Sequence, residues 1–92
     1  MEKTYKVLIQ GTVTGVGFRY STVREARRYG DLRGYVRNKD SRTVECVVQG
    51  DEEELTSFVE WLKQGPPGAR VQSCEVSELT TSKRLEPFRI SF

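Results

Sequence analysis

Residues 34–68 read GYVRNKDSRTVECVVQGDEEELTSFVEWLKQGPPG, and this stretch decides the fold. Gly34-Tyr35-Val36-Arg37-Asn38 is a short β-type run, Lys39-Asp40-Ser41-Arg42 a polar turn, and Thr43 to Gln49 a longer β-type run. Together they predict a hairpin. Gly50-Asp51 then closes the second strand and opens a helix. Asp51 is a favourable N-cap, and Glu54 stands three residues on, where it can reach back as in a capping box. Leu55, Phe58 and Leu62 follow at helical spacing, and Gly65-Pro66-Pro67-Gly68 stops the helix.

The flanks complete the pattern. On the N-terminal side Tyr5 to Gln10 predicts a first strand ending at Gly11. A helix is expected from about Tyr20 to Tyr29, with Val23 and Ala26 facing a core and Gly30 placed to stop it. On the C-terminal side Val71 to Leu79 predicts a fourth strand, Thr80 to Arg84 a polar loop, and Phe88-Arg89-Ile90 a short last strand. The order β-α-β-β-α-β is the split βαβ, or ferredoxin-like, plan. The expectation is an α+β sandwich: two helices on one face of an antiparallel sheet, with a short extra C-terminal strand. Many unrelated functions use that plan, so the fold leaves the function open.

A chain of 92 residues has room for one core, so residues 1–92 are read as a single domain. Its 36% hydrophobic and 30% charged residues suit a soluble globular protein rather than a disordered one. No apolar run approaches the roughly 20 residues of a membrane span. The N-terminal Met1-Glu2-Lys3-Thr4-Tyr5-Lys6 lacks the apolar centre of a signal peptide, so a cytoplasmic, free-standing monomer without membrane partners is expected. A net charge of +2 gives no general case for nucleic acid, and most of the arginines concentrated at Arg19, Arg24, Arg27, Arg28, Arg33 and Arg37 read as a solvated helix face. There is no histidine, which excludes Cys–His and Ser–His nucleophile pairs. Cys46 and Cys74 sit in strand-like apolar surroundings and are too few for a zinc site, so neither a metal nor a cofactor is expected.

Chemistry must therefore run on charge and positioning, and one loop offers both. Gly11-Thr12-Val13-Thr14-Gly15-Val16-Gly17-Phe18-Arg19 leaves the first strand and enters the first helix. Its glycines let the backbone turn sharply and approach a ligand closely. Successive N–H groups at a helix start form a concave site of partial positive charge suited to phosphate. Arg19 adds a planar fork of donors whose charge is permanent at neutral pH. The loop is neither the nucleotide P-loop nor the dinucleotide fingerprint, since the lysine and hydroxyl of the first are missing and Tyr20 stands where the third glycine of the second would fall. Any anion bound here is small. By itself the loop leaves phosphate binding and an empty turn equally open, and Asn38 alone is an ordinary residue for a strand end.

Two segments together resolve this. Gly11-x-Val13-x-Gly15-Val16-Gly17-Phe18-Arg19 and Gly34-Tyr35-Val36-Arg37-Asn38, followed by Val44 and Gly50, resemble the acylphosphatases. Gly65-Pro66-Pro67-Gly68-Ala69-x-Val71 and Pro87-Phe88-Arg89-Ile90 are similar to that family too, so the resemblance covers nearly the whole chain. It implies a small ferredoxin-like enzyme that hydrolyses the carboxyl–phosphate anhydride of acyl phosphates, with an acyl phosphate and phosphate as its small-molecule partners. Carried over by motif, Thr14, Gly15, Val16, Gly17, Phe18 and Arg19 bind the phosphoryl group, Arg19 clamps it, and Asn38 orients the attacking water.

The chain departs from the family at three places. Thr14 replaces a glutamine in the cradle, and Arg42 replaces a turn glycine, which would strain the hairpin or force another turn if that position needs φ > 0. The stretch from Arg19 to Asn38 is one residue longer than usual, with Asp31 as the extra residue in a surface loop. Two other functions compete. A non-catalytic module could keep the cradle and bind phosphate or a partner without turnover, in which case Asn38 would have no use. RNA binding on the sheet is disfavoured, because Thr43 to Gln49 carries no aromatic residue to stack on bases.

Overall fold

The computed structural model describes residues 1–92. The chain forms β1 (Glu2–Thr12), α1 (Phe18–Ala26), β2 (Arg33–Asp40), β3 (Thr43–Asp51), α2 (Glu52–Gln64), β4 (Arg70–Leu79) and β5 (Arg89–Ile90). One five-stranded sheet has the order β4-β1-β3-β2-β5, with α1 and α2 packed on one face. This is the expected ferredoxin-like layout, with one correction. The first four strands pair antiparallel, but β5 pairs parallel with β2, through Tyr35↔Arg89 and Val36↔Ile90, so the sheet is mixed. The chain leaves β4 at one edge, crosses the end of the sheet, and enters the opposite edge running in the direction of β2.

β1 and β3 lie at the centre, and alternate residues of each face the helices. Val7 and Ile9 of β1, Val36 of β2 and Val44, Cys46 and Val48 of β3 are fully buried there. Leu55, Phe58 and Leu62 of α2 cover them from above, all with no exposed surface, as their spacing predicts. Phe58 joins Phe88 edge-on at 5.7 Å between ring centroids and stacks against Trp61 at 6.5 Å, so α2 also fastens the C-terminal segment. Burial pushes the Cys46 and Cys74 thiols up, which keeps both in the un-ionised form and leaves them packing groups rather than nucleophiles.

The caps follow the sequence in part. Asp51 caps α2 by accepting the Glu53 N–H at 3.2 Å, and three acidic residues in the first turn suit the positive end of the helix. Glu54 does not complete a capping box: its carboxylate makes no hydrogen bond to the Asp51 N–H, and Asp51 is at once the last residue of β3 and the N-cap of α2. α1 ends at Ala26, three residues before Tyr29. Arg28 and Tyr29 donate to carbonyls three residues back, Glu25 and Ala26, so the end of the helix tightens into a turn before Gly30 is reached.

The hairpin settles the question at Arg42. No residue other than glycine adopts a positive φ. Instead, Asn38 pairs with Val44 and Asp40 with Thr43, leaving Lys39 as an extra, bulged residue. Asp40 Oδ1 accepts the Arg42 N–H at 2.9 Å, so a side chain closes the turn that a glycine would otherwise make. Hydrogen bonds from the Arg42 and Thr43 N–H groups and the Thr43 hydroxyl hold the Asp40 carboxyl below its ordinary range. Asp31 lies in an exposed loop, where its carboxylate pairs with Arg33 at 3.2 Å. No helix is long and apolar enough to cross a membrane.

Candidate active site

The loop from β1 to α1 is built on two left-handed glycines, Gly15 at φ 73° and Gly17 at φ 74°. A Cβ would meet nothing at either position, so the demand for glycine is conformational rather than spatial. Gly17 is the N-cap of α1, and no side chain caps the helix. The consequence is a run of free donors. From Thr14 to Tyr20 no backbone N–H reaches an acceptor in the protein; the first to do so is Ser21, which donates to the Gly17 carbonyl at 2.9 Å. Unsatisfied N–H groups at a helix start carry the positive end of the helix dipole, and here nothing in the chain neutralises them.

The side chains in this loop are anchors. Phe18 is buried to 1% exposure and its ring lies 6.1 Å from that of Trp61, which leaves only its N–H for the cradle. Val16 packs partly against the core. Thr14 donates its hydroxyl to the Ser41 carbonyl at 2.6 Å, so this side chain ties the loop to the β2–β3 turn instead of facing the cradle. Gly11 adds a second tie, its N–H donating to the Arg42 carbonyl at 3.0 Å.

Those ties bring the second motif to the first. β1 and β2 run parallel on either side of β3, so both end at the same end of the sheet, where the loop departs and the hairpin turns. Asn38 is two residues beyond buried Val36 and pairs with Val44, which in turn pairs with Ile9. All four therefore stand on the helix-covered face of the sheet. Asn38 is the first residue of its row beyond the core: it is exposed, and its carboxamide makes no hydrogen bond within the protein. Arg19, one residue into α1, is half-buried and has no carboxylate within ion-pair distance. Its guanidinium lies 5.3 Å from the centroid of the Phe92 ring.

Free N–H donors and a guanidinium without an ion pair thus stand in the loop, and a free carboxamide on the neighbouring hairpin, at the same end of the sheet. No group of three or more His, Cys, Asp or Glu side chains is assembled anywhere in the fold. The Thr14–Ser41 tie and the Phe92 ring over Arg19 were not legible beforehand, since each joins residues far apart in the chain. A depression of about 550 Å³ between α1 and the Gly65-Pro66-Pro67 turn is lined by neither Arg19, Asn38 nor residues 14–18. An anion cradle of backbone donors is shallow by nature, so cavity volume does not locate it.

Residues 5–90 match the acylphosphatase family model. An acylphosphatase of Paraburkholderia xenovorans is 44% identical over 86 residues, covering 94% of this chain and 88% of the other. The crystal structure of an acylphosphatase from Bacillus subtilis superposes with a TM-score of 0.91 at 37% identity, over the full length of both chains. That of an acylphosphatase from Coxiella burnetii gives 0.90 at 32% identity, covering 98% of this chain and 93% of the other.

Proposed function

The chain belongs to the acylphosphatase family and is an enzyme that hydrolyses acyl phosphates to carboxylate and phosphate, and from that premise we propose how its own residues carry the reaction. The N–H groups of Thr14, Gly15, Val16, Gly17, Phe18 and Arg19 receive the phosphoryl oxygens. The Arg19 guanidinium clamps two of those oxygens and stabilises the charge that grows on them in the transition state. Asn38 orients the attacking water by accepting a hydrogen bond from it at the carboxamide oxygen. The water oxygen bonds to phosphorus as the bond from phosphorus to the anhydride oxygen breaks. The carboxylate leaves with the bonding pair, and the spare proton of the water passes to a phosphoryl oxygen.

No strong base is required. A carboxylate is a good leaving group, and phosphoryl transfer depends mainly on positioning and on stabilising the equatorial oxygens. The observation that carries the reading is the unbroken set of unpartnered N–H groups from Thr14 to Tyr20 beside an arginine with no counter-ion. Free N–H groups gathered at a helix start carry the positive end of its dipole, so a surface that keeps so many of them unpaired is matched to an anionic ligand.

The test is hydrolysis of a simple acyl phosphate, without added metal, by the wild type and by Asn38→Ala. Asn38 is exposed and unbonded, so the variant is expected to fold with stability within about 0.5 kcal/mol of wild type. Its kcat is expected to fall by about 10²-fold or more, the scale on which misplacing a reacting atom by 1 Å acts. Near-normal turnover by the folded variant would remove Asn38 from the mechanism.

A further inference from the structure

From Thr43 to Gly50, β3 carries a single ionised side chain, Glu45, and the sheet holds it almost out of water. Val44 and Cys46 face the helices, so Glu45 between them stands on the opposite face of the sheet. Its side chain keeps only 9% of its surface. One carboxylate oxygen accepts the Arg37 Nε–H at 2.7 Å, and the Lys6 ammonium stands 3.9 Å from the other. Lys6 belongs to β1, Glu45 to β3 and Arg37 to β2, so one carboxylate joins three neighbouring strands.

A buried ion pair is a poor source of net stability, because desolvating the charges offsets their attraction; its best-attested use is to fix register. The register at stake here is that of Asn38. Arg37↔Glu45 is the pair next to Asn38↔Val44, and just beyond Asn38 the ladder is interrupted by the bulge at Lys39. Asp40, whose carboxylate accepts the Arg42 N–H, holds the turn side of that bulge. The Arg37–Glu45 bond holds the other side. With the bulge moved from Lys39 to Arg37, Asn38 would stand opposite Glu45 and face away from the helices. Arg37 would have to leave Glu45 for that to happen.

Resting on the water-orienting role of Asn38 given above, we propose that Glu45 is a positioning residue for the hydrolysis. By holding Arg37 across the strand, it keeps Asn38 on the face where the cradle lies. Glu45 touches neither the substrate nor the water. It acts through the backbone of β2, on the step that needs an oriented water and not on the capture of phosphate by the loop.

The experiment compares wild type with Glu45→Ala and Glu45→Gln. The readings are kcat for a simple acyl phosphate, the Kd of inorganic phosphate by calorimetry, and the nuclear Overhauser contacts between Asn38 and Val44. Arg37 and Lys6 are 41% and 37% exposed, so both can turn to water when the carboxylate is removed. Arg37→Ala deletes the same bond from its exposed end and is expected to reproduce the result. Glu45→Ala should lower kcat at least about tenfold and at most about 10²-fold, the cost of misplacing a reacting group by 1 Å. The phosphate Kd should stay at its wild-type value while the Asn38–Val44 contacts weaken. Glu45→Gln, whose carboxamide oxygen still accepts from Arg37, should keep most of kcat. In an Asn38→Ala background, Glu45→Ala should bring no further fall, because its effect runs through Asn38. Wild-type kcat with intact Asn38–Val44 contacts in the folded alanine variants overturns the proposal. So does a phosphate Kd that weakens in step with kcat, or a full further loss in the Asn38→Ala background. Asn38→Ala alone tests the water reading, and the Overhauser contacts report the register whatever its outcome, so the two readings fail separately.

Discussion

Replacing Arg19 with alanine separates catalysis from stability with particular clarity. Arg19 forms no ion pair and no side-chain hydrogen bond, and its guanidinium lies 5.3 Å from the ring centroid of Phe92, itself fully exposed. A cation–π contact at an exposed site contributes about 0.5–1 kcal/mol. For a domain of this size that corresponds to a fall in Tm of at most roughly 8 °C. The catalytic cost is of another order. An arginine that stabilises the transition state of phosphoryl transfer acts by about 10³–10⁵-fold, which at 1.36 kcal/mol per tenfold is about 4–7 kcal/mol. Arg19→Ala is therefore expected to melt as a cooperative, nearly wild-type protein and to lose at least about 10³-fold in kcat/KM. Arg19→Lys keeps the charge and loses the fork, and should fall between the two. The assay is phosphate release from an acyl phosphate, with a thermal melt of each variant by circular dichroism. A folded alanine variant that keeps more than a tenth of the wild-type kcat/KM would refute the assignment of the clamp.

Three further perturbations address the loop and the hairpin. Thr14→Val deletes the hydroxyl bond to the Ser41 carbonyl and is expected to cost about 0.5–1.5 kcal/mol in chemical denaturation, with a raised KM because the cradle is no longer tied to the turn that carries Asn38; an unchanged KM would separate loop anchoring from binding. Gly17→Ala meets no steric obstacle but must hold φ near 74°, so it is expected to lose about 1–2 kcal/mol and to distort the run of N–H donors; a variant with full stability and full activity would show that the left-handed turn is dispensable. Asp40 has a depressed carboxyl pKa, so its stabilising effect is complete above its unfolded value of about 3.9 and fades as pH falls through the lower folded value. Melts of wild type and Asp40→Ala across pH should differ most near neutrality and converge in acid, and a gap that stays constant with pH would mean that the turn does not depend on the carboxylate.

Much of the architecture was visible in local signals. The apolar spacing of Leu55, Phe58 and Leu62, the cap at Asp51 and the Gly-Pro-Pro-Gly stop all act within a few residues, and α2 occupies residues 52–64 accordingly. The end of α1 was misplaced because Gly30 looks like a terminator, whereas the backbone tightens earlier through bonds to Glu25 and Ala26 that no residue type announces. The capping box did not form: Asp51 accepts the Glu53 N–H, but Glu54 makes no bond back to the Asp51 N–H. The buried Gln49 was equally unannounced. Its carboxamide donates to Thr4 at 3.1 Å and to the Lys83 carbonyl at 2.8 Å and accepts from the Leu85 N–H at 2.8 Å, which straps the C-terminal loop across the sheet.

The candidate site divides along the same line. The left-handed glycines, the exclusion of imidazole chemistry and the presence of an arginine at a helix start follow from residue type and short spacing, because φ preference and side-chain chemistry are local properties. What the chain could not declare by itself is that Arg19 and Asn38 serve one end of the sheet. That depends on β1 and β2 running parallel on either side of β3, and on the pairing of Asn38 with Val44, which places it in the row of Val36 and Ile9. A one-residue slip in that pairing would turn Asn38 to the opposite face. The bulge at Lys39 takes up the odd residue before the turn, and the ties from Thr14 and Gly11 hold loop and hairpin together. The parallel seating of β5 and the ring of Phe92 over Arg19 arise in the same way. Each joins segments distant in the chain, and such contacts are set by packing and register, which exist only once the sheet has formed.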